Sequence, residues 1–99
     1  MKIFFTPRAR RRVAQVDQWW RENRPGLPVL FEHELETATK RILDQPELGQ
    51  LYDKIGDRVV RRLLLVKTEQ HVYYFVDHAT DKRIVITIWG ARRGRGPKL

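Results

Sequence analysis

RVVRRLLLVKTEQHVYYFVDHATDKRIVITIW, residues 58–89, is the stretch that decides the fold. Turn-forming residues at 67–70 and 79–82 separate three runs of β-branched and aromatic residues: Val59–Val66, His71–Val76 and Ile84–Trp89. Runs of this composition predict β-strands. Because such short loops join antiparallel neighbours, the stretch predicts a three-stranded antiparallel meander.

Both faces of the last two predicted strands are largely apolar. Strict alternation places Ile84, Ile86 and Ile88 on one face of the sheet and Val85 and Trp89 on the other. We expect one face to lie under helices and the opposite face to be poorly covered. An open apolar face on a monomer usually marks a partner site.

The first part of the chain predicts a short strand followed by an amphipathic helix. Residues 1–6 read as the strand, with Thr6 as the helix N-cap and Pro7 at the first helical position. Apolar residues then recur at the spacing of one helix face: Ala9, Val13, Val16 and Trp20. Arginines outside this stripe predict a basic outer side.

A second helix is predicted over residues 27–43, after the breaker residues 23–26. Its apolar stripe is formed by Leu27, Phe31, Leu35, Ala38 and Ile42. Two helices joined by a tight turn form an antiparallel hairpin, and residues 48–56 are expected to form an irregular or short extended connector. The predicted fold is therefore α+β, in one domain over residues 1–99. An antiparallel sheet, made of the short N-terminal strand and the C-terminal meander, packs on the helical hairpin.

Composition narrows the class of protein. The chain has no cysteine, which excludes disulfides, thiol catalysis and cysteine-based metal sites and favours a reducing compartment. The apolar run before Pro7 is too short for a signal peptide or a membrane span. We therefore expect a cytoplasmic protein with no membrane partner. No metal-ligand spacing or phosphate-binding glycine loop is present, so no metal or cofactor is expected.

The net charge of +8 is divided along the chain. Residues 1–24 carry +5, residues 25–57 carry −4 and residues 58–99 carry +7. Residues 90–99, here called the Gly/Arg segment, contain four cations and no acid. This distribution predicts a polyanionic or acidic partner that binds one side of the molecule.

Three stretches resemble the RelE/ParE superfamily of toxins from bacterial type II toxin–antitoxin modules, and are most similar to its ParE-like branch. They are WWRENRP at residues 19–25, VYYF at residues 72–75 and IWGARRG at residues 88–94. The resemblance covers nearly the whole chain and agrees with the order of predicted elements. It implies a toxin that is neutralised by an antitoxin with an apolar and acidic C-terminal segment, and that contacts operator DNA only through that antitoxin.

The two branches imply different activities. ParE-like toxins poison DNA gyrase, whereas RelE-like toxins cleave mRNA on the ribosome. For cleavage, the catalytic residues would be His71, which would supply proton transfer, and Arg92, which would match an arginine of that branch. The branch's late tyrosine has no counterpart here, and guanidinium is a poor general base. The residues therefore favour binding over catalysis, with mRNA cleavage as the alternative and a non-toxic binding module as the second alternative.

The residues expected to contact an anionic target are mostly cations of the first predicted strand of the meander and of the Gly/Arg segment. They are Arg61, Arg62, Tyr73, Arg92, Arg93, Arg95 and Lys98. Tyr73 is included because alternation places it on the same face as His71. Trp19, which falls outside the apolar stripe of the first helix, is expected to contact a partner. For the antitoxin we expect an apolar segment with some acids, lying across the open sheet face and near the basic helix.

Overall fold

A computed structural model describes residues 2–99, and Met1, predicted as part of the first strand, lies outside the described residues. Two helices pack on one face of a five-stranded sheet with strand order β1-β5-β4-β3-β2, which confirms the α+β class. The elements in chain order are β1 (Lys2–Phe5), α1 (Pro7–Asn23), α2 (Leu30–Asp44), β2 (Gln50–Ile55), β3 (Arg58–Leu65), β4 (Gln70–Asp77) and β5 (Lys82–Gly90).

The prediction of a purely antiparallel sheet with one short strand and a meander is wrong in two respects. First, β1 pairs with β5 in parallel, so the sheet is mixed. Second, the predicted connector contains the strand β2, which pairs with β3 through a tight turn at Gly56, where φ is +60°. As an edge strand, β2 is exposed along most of its length, and its apolar residues Leu51, Tyr52 and Ile55 form neither a continuous run nor an alternation with polar residues.

The predicted face assignment along β5 is also wrong, because a β-bulge interrupts the strand. Tyr73 lies opposite Thr87 while the next residue, Tyr74, lies opposite Val85, so Ile86 is an extra residue. Alternation reverses at such a point. Val85 and Ile88 therefore both face the helices and are fully buried there.

The helices follow their predicted stripes. The side chain of Thr6 accepts a hydrogen bond from the Ala9 amide at 3.1 Å, and Pro7 begins α1 as expected. The start of α2 was predicted too early. Leu27 lies in the turn before α2 and is 53% exposed. The helix does not include Leu27 because the following Pro28 disfavours helical geometry at the residue before it. No helix within residues 2–99 has the length and apolar content needed to cross a membrane.

The core lies between the helices and the sheet. The helices contribute Ala9, Val16, Phe31, Leu35, Ala38 and Ile42, and the strands contribute Leu65, Val72, Tyr74, Val85 and Ile88. The sheet face turned away from the helices, here called the outer face, carries Arg62, His71 and Tyr73 by alternation and register.

Candidate functional site

The site begins where β1 ends and leaves part of the β5 edge without a strand neighbour. β1 pairs with β5 only as far as Val85. Beyond that point, two side chains satisfy β5 carbonyls: that of Thr6, the N-cap of α1, and that of Arg12 within α1. Thr6 Oγ1 donates to the Ile86 carbonyl at 3.0 Å, and Arg12 Nε donates to the Ile88 carbonyl at 3.1 Å. Arg12 is thereby fixed between the helix and the end of the sheet.

A groove of about 850 Å³ lies beside Arg12, between α1, the loop joining β3 to β4, and the start of the Gly/Arg segment. Its lining includes five cations, Arg12, Arg24, Lys67, Arg92 and Arg93, together with Trp19 and Trp20. We call this surface the basic groove. A concave surface lined by like charges concentrates the electrostatic field and attracts anions.

Two of the guanidinium groups lie against the same indole. The Arg93 guanidinium carbon is 4.3 Å from the centre of the Trp89 ring, and that of Arg12 is 5.9 Å from it. Burial lowers the pKa of Arg12 from its usual value, and the charges of Arg93 and Arg8 lower it further. The positive charges at this end of the groove therefore repel one another, and an anion placed between them would relieve that repulsion.

Glu69 is the one acid among the lining residues of the basic groove. Its carboxylate pairs with Arg92 at 2.8 Å, and its backbone carbonyl accepts from the Ala91 amide at 2.8 Å. The neighbouring Gln70 Oε1 is buried without a hydrogen-bond partner. The groove therefore offers both cations and a buried acceptor. Within residues 2–99, no three His, Asp or Glu side chains are grouped to hold a metal ion.

The outer face of the sheet forms a second surface, which the Gly/Arg segment partly covers. Trp89 Nε1 donates to the Arg95 carbonyl at 2.8 Å, and Pro97 is buried. Gly96 passes so close to Tyr52 that a Cβ there would overlap the phenol hydroxyl. The predicted open apolar face is therefore filled in part by the chain itself, and Tyr73 beneath it is only 1% exposed.

His71 lies on this outer face, with its ring centre 6.0 Å from that of Tyr73. Burial lowers the pKa of His71 from 6.5, and the charge of Arg62 lowers it further. Arg62 in turn lies 5.1 Å from the centre of the Tyr52 ring, and Tyr52 packs edge-on against Tyr73. The predicted placement of His71 and Tyr73 on one face is confirmed, but the Tyr73 ring is too buried to stack on a ligand.

The predicted site residues thus divide between surfaces. The basic groove brings together Arg92, Arg93 and Trp19, whose indole is 47% exposed. His71 is not among the residues lining that groove, so Arg92 and His71, the two residues considered for catalysis, lie on different surfaces. Arg61 donates to the Gly49 carbonyl at 2.9 Å and so fixes the connector before β2. The side chains of Arg95 and Lys98 are exposed on the segment that crosses the outer face.

Three groove cations were missed by sequence reasoning: Arg12, Arg24 and Lys67. A signal for one of them was present in α1. Arg12, Gln15 and Trp19 are spaced by three and four residues, which forms a second stripe beside the apolar one. No comparable spacing identifies Lys67, because the meander brings its loop to α1 only in the folded chain.

Comparison with known proteins adds no support to the resemblance to the RelE/ParE superfamily. No protein-family model matches this chain, and no curated protein matches it.

Proposed function

We propose that this chain is the toxin of a type II toxin–antitoxin module and inhibits growth by binding a macromolecular target, with DNA gyrase as the leading candidate. The observation that carries the proposal is the basic groove, where Arg92 and Arg93 lie beside the exposed Trp19. Exposed arginine and tryptophan side chains are the residue types most often dominant in protein interfaces. Arg92 is 83% exposed, and its pair with Glu69 is therefore weak enough to be exchanged for a target acid.

The test measures supercoiling and DNA cleavage by gyrase with stoichiometric purified protein, alongside growth after induced expression. The double variant Arg92→Gln/Arg93→Gln should lose inhibition. The control Lys40→Gln/Lys54→Gln removes the same charge from exposed positions outside the groove and should retain it. Gyrase activity that is unchanged by the unmodified protein would refute the gyrase target.

The antitoxin is proposed to place an apolar segment in a cleft of about 790 Å³ between β1 and the two helices. The side chains that line this cleft include Phe5, Val13 and Leu35, and the exposed Arg10 on its wall suits an acid of the partner. The open sheet face first expected to receive the antitoxin is partly filled by the Gly/Arg segment. Leu35→Asp would disturb the core as well, so Arg10→Glu, at an exposed side chain on the wall of the cleft, is the better test of antitoxin affinity.

The alternative, a ribosome-dependent mRNA endonuclease, is favoured by one observation. Burial and the charge of Arg62 lower the pKa of His71, which favours the neutral imidazole, the form that accepts a proton. Primer extension on translated messages should then detect cuts that His71→Ala abolishes. Growth arrest with intact messages excludes this activity, and expression without arrest favours the second alternative, a non-toxic nucleic-acid or protein-binding module.

A further inference from the structure

Three features of the basic groove are unsatisfied in the free protein. Arg12 and Arg93 repel each other beside the Trp89 ring. Gln70 Oε1 is buried and accepts no hydrogen bond. The Trp19 indole is 47% exposed although it lies in a concave surface. A ligand that satisfies all three needs an anionic group, a hydrogen-bond donor and a flat apolar ring.

We infer that the basic groove binds a nucleotide unit. Its phosphate lies between the guanidinium groups of Arg12 and Arg93, and its base stacks at Trp19 and donates to Gln70. Arginine guanidinium groups match the oxygens of a phosphate in a planar fork. Base stacking on tryptophan accepts every base, because each base has a π-face.

Charge alone also permits an acidic peptide, but two observations favour the nucleotide. The carboxylate of an acidic peptide would pair with the cations of the groove, but it has no planar ring to cover the exposed Trp19 indole. In addition, the Arg24 guanidinium lies over one face of the Trp19 ring, with its carbon 5.5 Å from the ring centre. The planar cation already stacks on the indole in this way, and an unstacked base can use the opposite face.

The same chemistry has two sources, a free nucleotide and a nucleotide within a single strand. Lys67 and Arg92 also line the groove, in addition to Arg12 and Arg93. These cations give a strand further phosphate contacts that a mononucleotide lacks. The inference requires no inhibition of gyrase, so binding to purified protein tests it separately from the proposed function.

Isothermal titration calorimetry with five probes provides the test: inorganic phosphate, adenosine, adenosine monophosphate, a single-stranded adenine hexanucleotide and hexaglutamate. Adenosine monophosphate should bind more tightly than phosphate or adenosine, and the hexanucleotide more tightly than hexaglutamate. A hexanucleotide affinity at least tenfold above that of adenosine monophosphate identifies a strand as the source, and a smaller ratio identifies the free nucleotide. If hexaglutamate binds as tightly as the hexanucleotide, the inference is wrong.

Two variants connect the binding to the groove. Trp19→Ala should weaken hexanucleotide binding by about fivefold to 150-fold, the range expected for loss of one base–aromatic stack. Arg93→Gln should lower the slope of log affinity against log salt by about 0.7, the value for one lost phosphate contact on a single strand. Arg12 is left unchanged because its Nε also holds the Ile88 carbonyl.

The controls separate the groove from total charge and from misfolding. Lys40→Gln removes one charge from an exposed position on α2, outside the groove. It should leave the hexanucleotide affinity and the salt slope nearly unchanged. Circular dichroism confirms that each variant is folded before titration. Unchanged hexanucleotide and adenosine monophosphate affinities in folded Trp19→Ala would overturn the inference.

Discussion

Replacing Tyr74 with phenylalanine removes a single oxygen atom that joins the connector after α2 to the sheet. The Tyr74 hydroxyl donates to the Pro46 carbonyl at 2.8 Å and accepts from the Gly49 amide at 2.9 Å. The ring lies in the core and is fully buried. Phenylalanine retains the ring packing, so the substitution isolates the two hydrogen bonds.

The expected loss of stability follows from the groups left behind. An unpaired buried donor or acceptor costs about 1–3 kcal/mol, and Tyr74→Phe leaves one of each, with the Pro46 carbonyl only partly buried. We therefore expect the free energy of unfolding to fall by about 2–4 kcal/mol. For a domain of this size, about 5 °C in Tm corresponds to each kcal/mol, which predicts a Tm lower by about 10–20 °C.

Thermal and urea denaturation followed by circular dichroism measure this loss. Tyr73→Phe is a matched control, because it makes the same change at the next residue, on the other face of β4. The Tyr73 ring is equally buried, but its hydroxyl forms no hydrogen bond within residues 2–99, so its stability should change by less than about 0.5 kcal/mol. Equal losses in the two variants would refute the role assigned to the Tyr74 hydroxyl.

Three further predictions concern the loop joining β3 to β4 and the outer face. Glu34→Ala should lower the free energy of unfolding by about 1–3 kcal/mol in urea titrations, because its carboxylate accepts from the Thr68 hydroxyl at 2.6 Å and the Thr68 amide at 2.9 Å. The folded state lowers the pKa of His71, so the unfolded state takes up the proton first as the pH falls. Unmodified protein should therefore lose stability below about pH 6.5 more steeply than His71→Gln, as followed by Tm against pH. Gly96→Ala should displace its segment from Tyr52, measured as faster hydrogen exchange of the segment's amides without loss of global stability.

Local rules predicted those parts of the fold that depend on neighbouring residues. The Thr6 and Pro7 start of α1 and the stripe through Ala9 and Val16 follow from the geometry of a single helix. The three strand runs of residues 58–90 follow from their composition in the same way. In these elements, local propensity, the pattern of apolar residues and the packing in the folded chain all agree, so tertiary contacts do not change the predicted structure.

Features set by contacts between distant elements were not predicted. The parallel pairing of β1 with β5 joins residues about 80 positions apart in the sequence, and no local pattern encodes its direction. Strand β2 is an exposed edge with mixed charges, and the signal for it was the Gly56 turn rather than an apolar run. The bulge at Ile86 was hidden because both faces of β5 are apolar, so a change of face leaves the pattern unaltered.

The candidate site was predicted in part for the same reason. Arg92 and Arg93 were identified from their position after the last strand, and Trp19 from its place outside the apolar stripe. Arg61 is a cation like the others and was expected to contact the target. Instead it donates to the Gly49 carbonyl, and this contact depends on β2, which the sequence did not predict. Arg12 was predicted on the basic outer side of the first helix. Because β1 ends opposite Val85, the Ile88 carbonyl has no strand partner on that side, and Arg12 donates to it instead.

The covering of the outer face separates the two proposed activities. An endonuclease acting through His71 needs RNA to reach the face on which Trp89 holds the Arg95 carbonyl and Pro97 is buried. Loosening this segment with Gly96→Ala should therefore increase cleavage if the protein is a nuclease. A toxin that binds through the basic groove gains nothing from an opened outer face, and it loses affinity as Arg93 becomes less well placed against Trp89. The same substitution thus changes the two activities in opposite directions, and mRNA cleavage and gyrase inhibition measured on one preparation distinguish them.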